Sequence, residues 1–175
     1  MSGRNYPIFI VDEMLGKLAR WLRIFKFDTK YAKEERQNDP NLTDRTILNI
    51  AIVENRILIT RDRELYKLAI HHGAQAILIE DDNLEKQIVK IAKKSKIKEL
   101  PFFNKELPLR CAICNTPLVR VSKSGVKKDV PPRVYENFNV FWKCPNCGKV
   151  YWPGSHWRMI IKRARRIQEI LREDP

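Results

Sequence analysis

Ile8-Phe-Ile-Val11 is a wholly apolar run, and behind it Met14, Leu15, Leu18, Leu22 and Phe25 recur at helical spacing. A short continuous run followed by a 3.6-residue stripe reads as a buried strand feeding a helix. Thr29 to Ala32 predicts a weaker second strand. The Asn38-Asp39-Pro40-Asn41 cluster predicts a turn, after which Thr43 or Asp44 caps a helix carrying Ile47, Leu48 and Ala51. Ile57-Leu-Ile-Thr60 predicts a third strand, and Arg63 to His71 a helix that Gly73 ends, with His71 and His72 at its terminus. Ala76-Ile-Leu-Ile79 predicts a fourth strand, and Leu84 to about Lys94 a further helix. Apolar strands joined by helices belong to a parallel sheet covered on both faces, so residues 1–100 are expected to form an α/β domain.

The pattern then breaks. Glu99-Leu-Pro101 to Leu107-Pro108 holds two prolines and no periodicity, which puts a boundary near residue 101 and a second unit over 101–175. That unit contains all four cysteines, as Cys111-Ala-Ile-Cys114 and Cys144-Pro-Asn-Cys147-Gly148, with 29 residues between the two knuckles. Paired CxxC knuckles predict a zinc ribbon, with Gly148 allowing the tight turn that aims backbone N–H groups at sulfur. Two disulfides or four free thiols are the alternatives; disulfides need an oxidising compartment, and the opening residues Met-Ser-Gly-Arg-Asn-Tyr-Pro contain no apolar core of signal-peptide length. His156 is not needed as a ligand, because four cysteines complete a tetrahedral site; it reads as packing or as an RNA contact. The long insertion carries a basic turn, Lys123 to Lys128, in which Lys127 and Lys128 are candidate phosphate contacts. Tyr135, Phe138, Phe141 and Trp142 then either stack bases or form the small core of the ribbon. Finally, Met159, Ile160, Ala164, Ile167 and Leu171 mark one stripe of a helix whose other positions include Arg158, Lys162, Arg163, Arg165 and Arg166.

Charge narrows the class of partner. The 175-residue chain has a formal net charge of +13, and 43% hydrophobic content suffices for a buried core. Up to Leu100 there are 19 basic and 15 acidic residues, net +4; beyond it there are 15 and 6, net +9. Positive charge concentrated beside the cysteines favours a polyanion, and nucleic acid is the expected one. No apolar stretch approaches the roughly 18 residues of a membrane span, so a soluble, cytoplasmic protein is expected. Nucleophile motifs and glycine-rich phosphate loops are lacking, and six glycines leave little to build one from.

The predicted strands end in acid. Asp12 follows the first, Asp62 stands two residues beyond Thr60, and Asp81 and Asp82 follow the fourth; Asp44, at the start of the second helix, can lean over the same edge. Ligands of parallel sheets bind beyond the carboxyl ends of the strands. Gathered carboxylates repel one another unless a cation neutralises them, and oxygen-only donors suit Mg²⁺ or Mn²⁺, ions that support phosphodiester hydrolysis. The competing reading for each aspartate is a helix cap. Lys17, Arg20 and Arg23 on the first helix, with Arg61 beside Asp62, border the edge as candidate phosphate contacts.

Taken in order, Asp12-Glu-Met-Leu-Gly-Lys-Leu-Ala-Arg-Trp-Leu-Arg23, Asp28-Thr-Lys-Tyr31 and Ile57-Leu-Ile-Thr-Arg-Asp62 resemble the PIN-like ribonuclease domain of the Mut-seven C-terminal type. That family joins a PIN-like fold to a zinc ribbon, and Cys111-Ala-Ile-Cys-Asn115, Val130-Pro-Pro132, Cys144-Pro-Asn-Cys-Gly148 and Tyr151 to Trp157 fit the ribbon portion. The resemblance implies a metal-dependent ribonuclease centre with Asp12, Asp44 and Asp62 in the acidic positions; either of the adjacent Asp81 and Asp82 can match the fourth, with Asp82 the preferred one. It also implies an RNA substrate, single-stranded or structured. PIN domains include members that bind RNA without cutting it, so a non-catalytic factor on ribosomal or other structured RNA is the second reading.

Overall fold

Strand β1 (Phe9–Val11) is buried on both faces and lies between two parallel neighbours, β2 (Thr29–Tyr31) and β3 (Ile57–Thr60). The structure, a computed structural model, describes residues 6–38, 43–103, 105 and 108–173. β4 (Ala76–Leu78) pairs parallel to β3, which completes a four-stranded sheet of order β2-β1-β3-β4. Full burial of the two central strands, β1 and β3, explains their apolar runs, since both sheet faces are covered by helices.

The helices follow the predicted order with three differences. Asp12 opens a 3-10 turn over Glu13–Leu15 before helix α1 (Gly16–Ile24), so Met14 points outward at 68% exposure and leaves the apolar stripe. Helix α2 (Ala32–Asn38) follows β2 directly, where only a strand end and a turn are expected; most of that turn, 39–41, lies outside the described residues. Helix α3 (Asp44–Val53) is capped by Thr43, whose side chain accepts from the Thr46 N–H. Asp62 caps α4 (Arg63–His71), and Asn83, neither Asp81 nor Asp82, caps α5 (Leu84–Lys94).

Beyond residue 100, β5 (Val119–Val121), β6 (Phe141–Lys143) and β7 (Val150–Tyr151) form an antiparallel sheet, with the short helix α6 (Pro132–Asn137) inside the insertion. Phe141 is fully buried against Val126, Val130 and Val150, with Tyr135 and Phe138 packed around it, so these aromatics are the core of this unit. The C-terminal helix α7 (Ser155–Glu173), grouped with the cysteines by sequence, packs on α5. Ala164, Ile167 and Leu171 enter the α/β core, and Gln168 accepts from the Leu100 N–H at 2.8 Å while donating to the Lys98 carbonyl at 2.8 Å. The last helix is therefore part of the α/β core.

Side chains fasten the cysteine unit to the sheet edge. The Thr29 N–H, facing away from β1, donates to Asn115 Oδ1 at 3.0 Å, and the Thr29 carbonyl accepts from Arg23 Nε at 2.8 Å. Asp28 accepts from Asn115 Nδ2 at 3.0 Å and pairs with Arg56 at 2.7 Å and Arg110 at 3.2 Å. Hydrogen bonds from Arg56 and Asn115 outweigh the burial that would raise its pKa, and hold the Asp28 carboxyl below its ordinary value.

Candidate active site and cysteine centre

The chain leaves β1 in one direction for β2 and leaves β3 in the other for β4, so the sheet reverses between these central neighbours. The crevice at such a reversal, beyond the carboxyl ends, is where open α/β sheets bind ligands. Asp12 and Thr60 stand there. Asp12 is 8% exposed; its Oδ1 accepts from the Glu13 N–H at 2.7 Å and its Oδ2 from the Thr60 hydroxyl at 2.7 Å. The Asp62 N–H donates in turn to Thr60 Oγ1 at 2.9 Å, so one hydroxyl links the two aspartate positions. Thr60 carries no charge and sits inside an apolar run, which hides this role from sequence reasoning.

Local packing fixes the approach to Asp12. The Tyr31 hydroxyl donates to the Glu13 carbonyl at 2.8 Å, and it lies where a Cβ on Gly16 would come within 2.6 Å. Glycine at position 16 makes room for that close approach, since a Cβ there would force the Tyr31 ring to shift, and the contact joins two of the sequence motifs.

The remaining acids lie at helix starts and in the segment between β4 and α5. Asp62 is exposed, with Oδ1 accepting from Glu64 N–H at 2.7 Å and Leu65 N–H at 3.0 Å, as a cap does. Asp44 is exposed in the first turn of α3. Asp82 is paired with Arg61, which also donates to the Asp81 carbonyl at 2.7 Å. The Asp81 carboxylate accepts from the Asn83 N–H, a hydrogen bond that lowers its pKa. Among the described residues, the only group of three or more ligand side chains gathered within 4.8 Å is the cysteine quartet.

That quartet is built on two matching turns. Asn115 after the first knuckle and Gly148 after the second both adopt positive φ, 65° and 74°, and each donates its N–H to the carbonyl of the cysteine that opens its knuckle. Cys111 and Cys147 sulfurs lie 3.6 Å apart and Cys114 and Cys144 sulfurs 3.4 Å apart, with no disulfide. Tetrahedral Zn²⁺ at a Zn–S distance of about 2.3 Å needs sulfurs about 3.8 Å apart, so the donors fit that ion. Burial pushes the Cys147 thiol up to about 12. Burial would also raise Cys114, but hydrogen bonds from Thr116 and Asn146 bring it down to about 6. Thiols crowded this way cannot all ionise without a cation among them. Behind them, Tyr151 places its hydroxyl 3.1 Å from Cys111 Sγ and accepts from the Ala112 N–H at 3.1 Å.

The predicted phosphate contacts divide into five settings. Lys17, Arg20, Lys162, Arg163 and Arg166 line one groove of about 870 Å³ between α1 and α7. Arg158 and Arg165 are exposed on α7 outside it, and Lys127 and Lys128 are exposed in the insertion. Arg61 is tied to Asp81 and Asp82 at the sheet edge. Arg23 is a correction: at 1% exposure it is a structural clip, with its guanidinium on both Glu34 oxygens, at 2.9 and 2.7 Å, and on the Ile113 carbonyl at 2.6 Å. Burial keeps it from RNA, because α2 and the first knuckle close over it.

A profile of the Mut7-C RNAse domain family matches residues 7–164. The chain belongs to this family. The match takes in the sheet, the cysteine unit and the first half of α7, and with them every lining residue of the groove except Arg166. Membership in the Mut7-C RNAse domain family points to a ribonuclease-like function. Comparisons with curated proteins and with solved structures find no match.

Proposed function

We propose that this protein is a Mg²⁺- or Mn²⁺-dependent endoribonuclease whose centre forms at the carboxyl edge of β1 and β3, with the cysteine quartet holding a structural Zn²⁺. The observation that carries the reading is Asp12, a buried carboxylate held at the sheet's reversal by the Thr60 hydroxyl, in a chain of an RNase family. Asp12, with Asp62 and Asp44, would hold the divalent ion, and Asp82 supplies the outer acid once Arg61 turns to phosphate. Such an ion, when bound, supplies charge neutralisation and an activated water. The chain's own part is to orient Asp12 through Thr60, to present Asp62 from the rigid start of α4, and to neutralise the approaching backbone with Lys17 and Arg20. The Zn²⁺ unit contributes position: the first knuckle is bound to β2 and α1 through Asn115 and Arg23.

The second reading, a non-catalytic factor on structured RNA such as ribosomal RNA, is favoured by one observation: Asp12, Asp62 and Asp82 each already have a local hydrogen-bond or ion-pair partner. Cleavage of labelled single-stranded and structured RNA with Mg²⁺ or Mn²⁺ separates the two. Asp12→Asn should lower cleavage by at least about 10²-fold while leaving affinity equal or higher, since one charge beside phosphate is gone. The amide still accepts from the Glu13 N–H, so the fold is kept. Wild-type binding without cleavage would select the second reading, and equal cleavage by Asp12→Asn would remove Asp12 from the centre.

A further inference from the structure

The groove between α1 and α7 begins at Gly16, one helical turn beyond Asp12, and ends at Ala112 in the first cysteine knuckle. We propose that it is the track for single-stranded RNA leading to the Asp12 edge. The RNA identity of the strand rests on the ribonuclease reading; the rest stands on the groove.

Five cations, Lys17 and Arg20 from one wall and Lys162, Arg163 and Arg166 from the other, face a single lining acid, Glu85. The charge therefore comes from helices far apart in sequence that meet only in the fold, and it selects a polyanion. Between the basic walls lie apolar surfaces, Trp21 and the exposed Met159 among them. Basic flanks around an apolar and aromatic floor suit a strand whose bases are free to stack while its phosphates are held. A duplex turns its bases inward and has no use for such a floor.

The arginines are held ready. The Arg163 guanidinium lies over the Trp21 ring, 4.5 Å from its centroid, and Glu85 pairs with Arg163 at 3.3 Å and with Arg166 at 3.2 Å. Glu85 thus occupies the arginine forks that would take phosphate, and an entering strand must displace it.

The test is fluorescence anisotropy of a labelled single-stranded RNA on the full-length Asp12→Asn protein across a series of KCl concentrations, with no chelator present. Lys17→Ala/Lys162→Ala, both exposed and outside any core, should weaken binding about tenfold and reduce the salt slope by about 1.4, the value for two phosphates lost from a single strand. Glu85→Gln should tighten binding several-fold by releasing two arginines. Unchanged affinity and slope in the double variant overturn the groove, whatever the wild type does to RNA. Equal competition by duplex RNA or polyglutamate overturns the single-strand assignment. Groove-dependent binding in a wild type that does not cut leaves the track standing and sinks the nuclease reading, so the two failures are distinct.

Discussion

Asp12, which opens the turn before α1, and Arg23, in the last turn of α1, show what a residue's neighbours in sequence do and do not disclose. Asp12 was legible because an acid directly after a buried apolar run must lie at the carboxyl end of a strand. Thr60, which aims it, was not, since its role depends on β1 and β3 lying side by side. Arg23 reads as one more cation on a basic helix, yet it is among the most buried side chains, because β2, α2 and the first knuckle meet around it. Arg23→Lys keeps the charge but loses the planar fork. It should cost about 2 kcal/mol by leaving Glu34 and the Ile113 carbonyl short of donors, read as a lower urea midpoint with an unchanged slope.

At the scale of elements, the sheet and four of its helices followed from hydrophobic period, while α2 did not, because Ala32 to Asn38 is polar and short and carries almost no apolar stripe. The destination of α7 was equally hidden. Its stripe announces burial against something, and only the completed fold decides that the partner is α5 and the α/β core. The cysteine unit is the opposite case, since knuckle spacing alone specifies four sulfurs around one point. Its core is small, built on Phe141 and a few valines, so metal should supply much of its folding energy. Cys144→Ser is expected to lose bound zinc and to unfold β5–β7, seen as loss of zinc in metal analysis and a red shift of Trp142 emission. The helical circular dichroism of the α/β domain and α7 should persist. Retention of full zinc stoichiometry with an unchanged melt would contradict this.

Across the whole molecule, two groups of acids serve opposite ends of the sheet. At the carboxyl end they face the proposed substrate; at the amino end Asp28 and Glu54 bracket Arg56, which also donates to the Phe9 carbonyl. Hydrogen bonds and nearby cations, Arg56 in both cases, overcome burial and hold both carboxyls below their ordinary values. A carboxyl depressed in the folded state stabilises the fold above its unfolded pKa of about 4 and loses that contribution as pH falls through the folded value. Stability should therefore be flat above about pH 5 and decline below about pH 4, and Asp28→Asn should flatten part of that decline while lowering stability at neutral pH by about 2 kcal/mol. Thermal melts from pH 3 to 7 on both proteins check it; an identical acid limb would show that Asp28 is not its source.

The Asn115 and Arg23 contacts to Thr29 have one more consequence. A border strand with unused amide and carbonyl groups is a template on which another chain can add a strand. Here both outward groups of Thr29 are already engaged, one by a knuckle side chain and one by a helix arginine. The cysteine unit is thus a guard on the sheet's open flank. On the proposed zinc reading, loss of the ion would loosen that guard and uncover β2, so zinc-stripped protein should turn insoluble as chains join edge to edge.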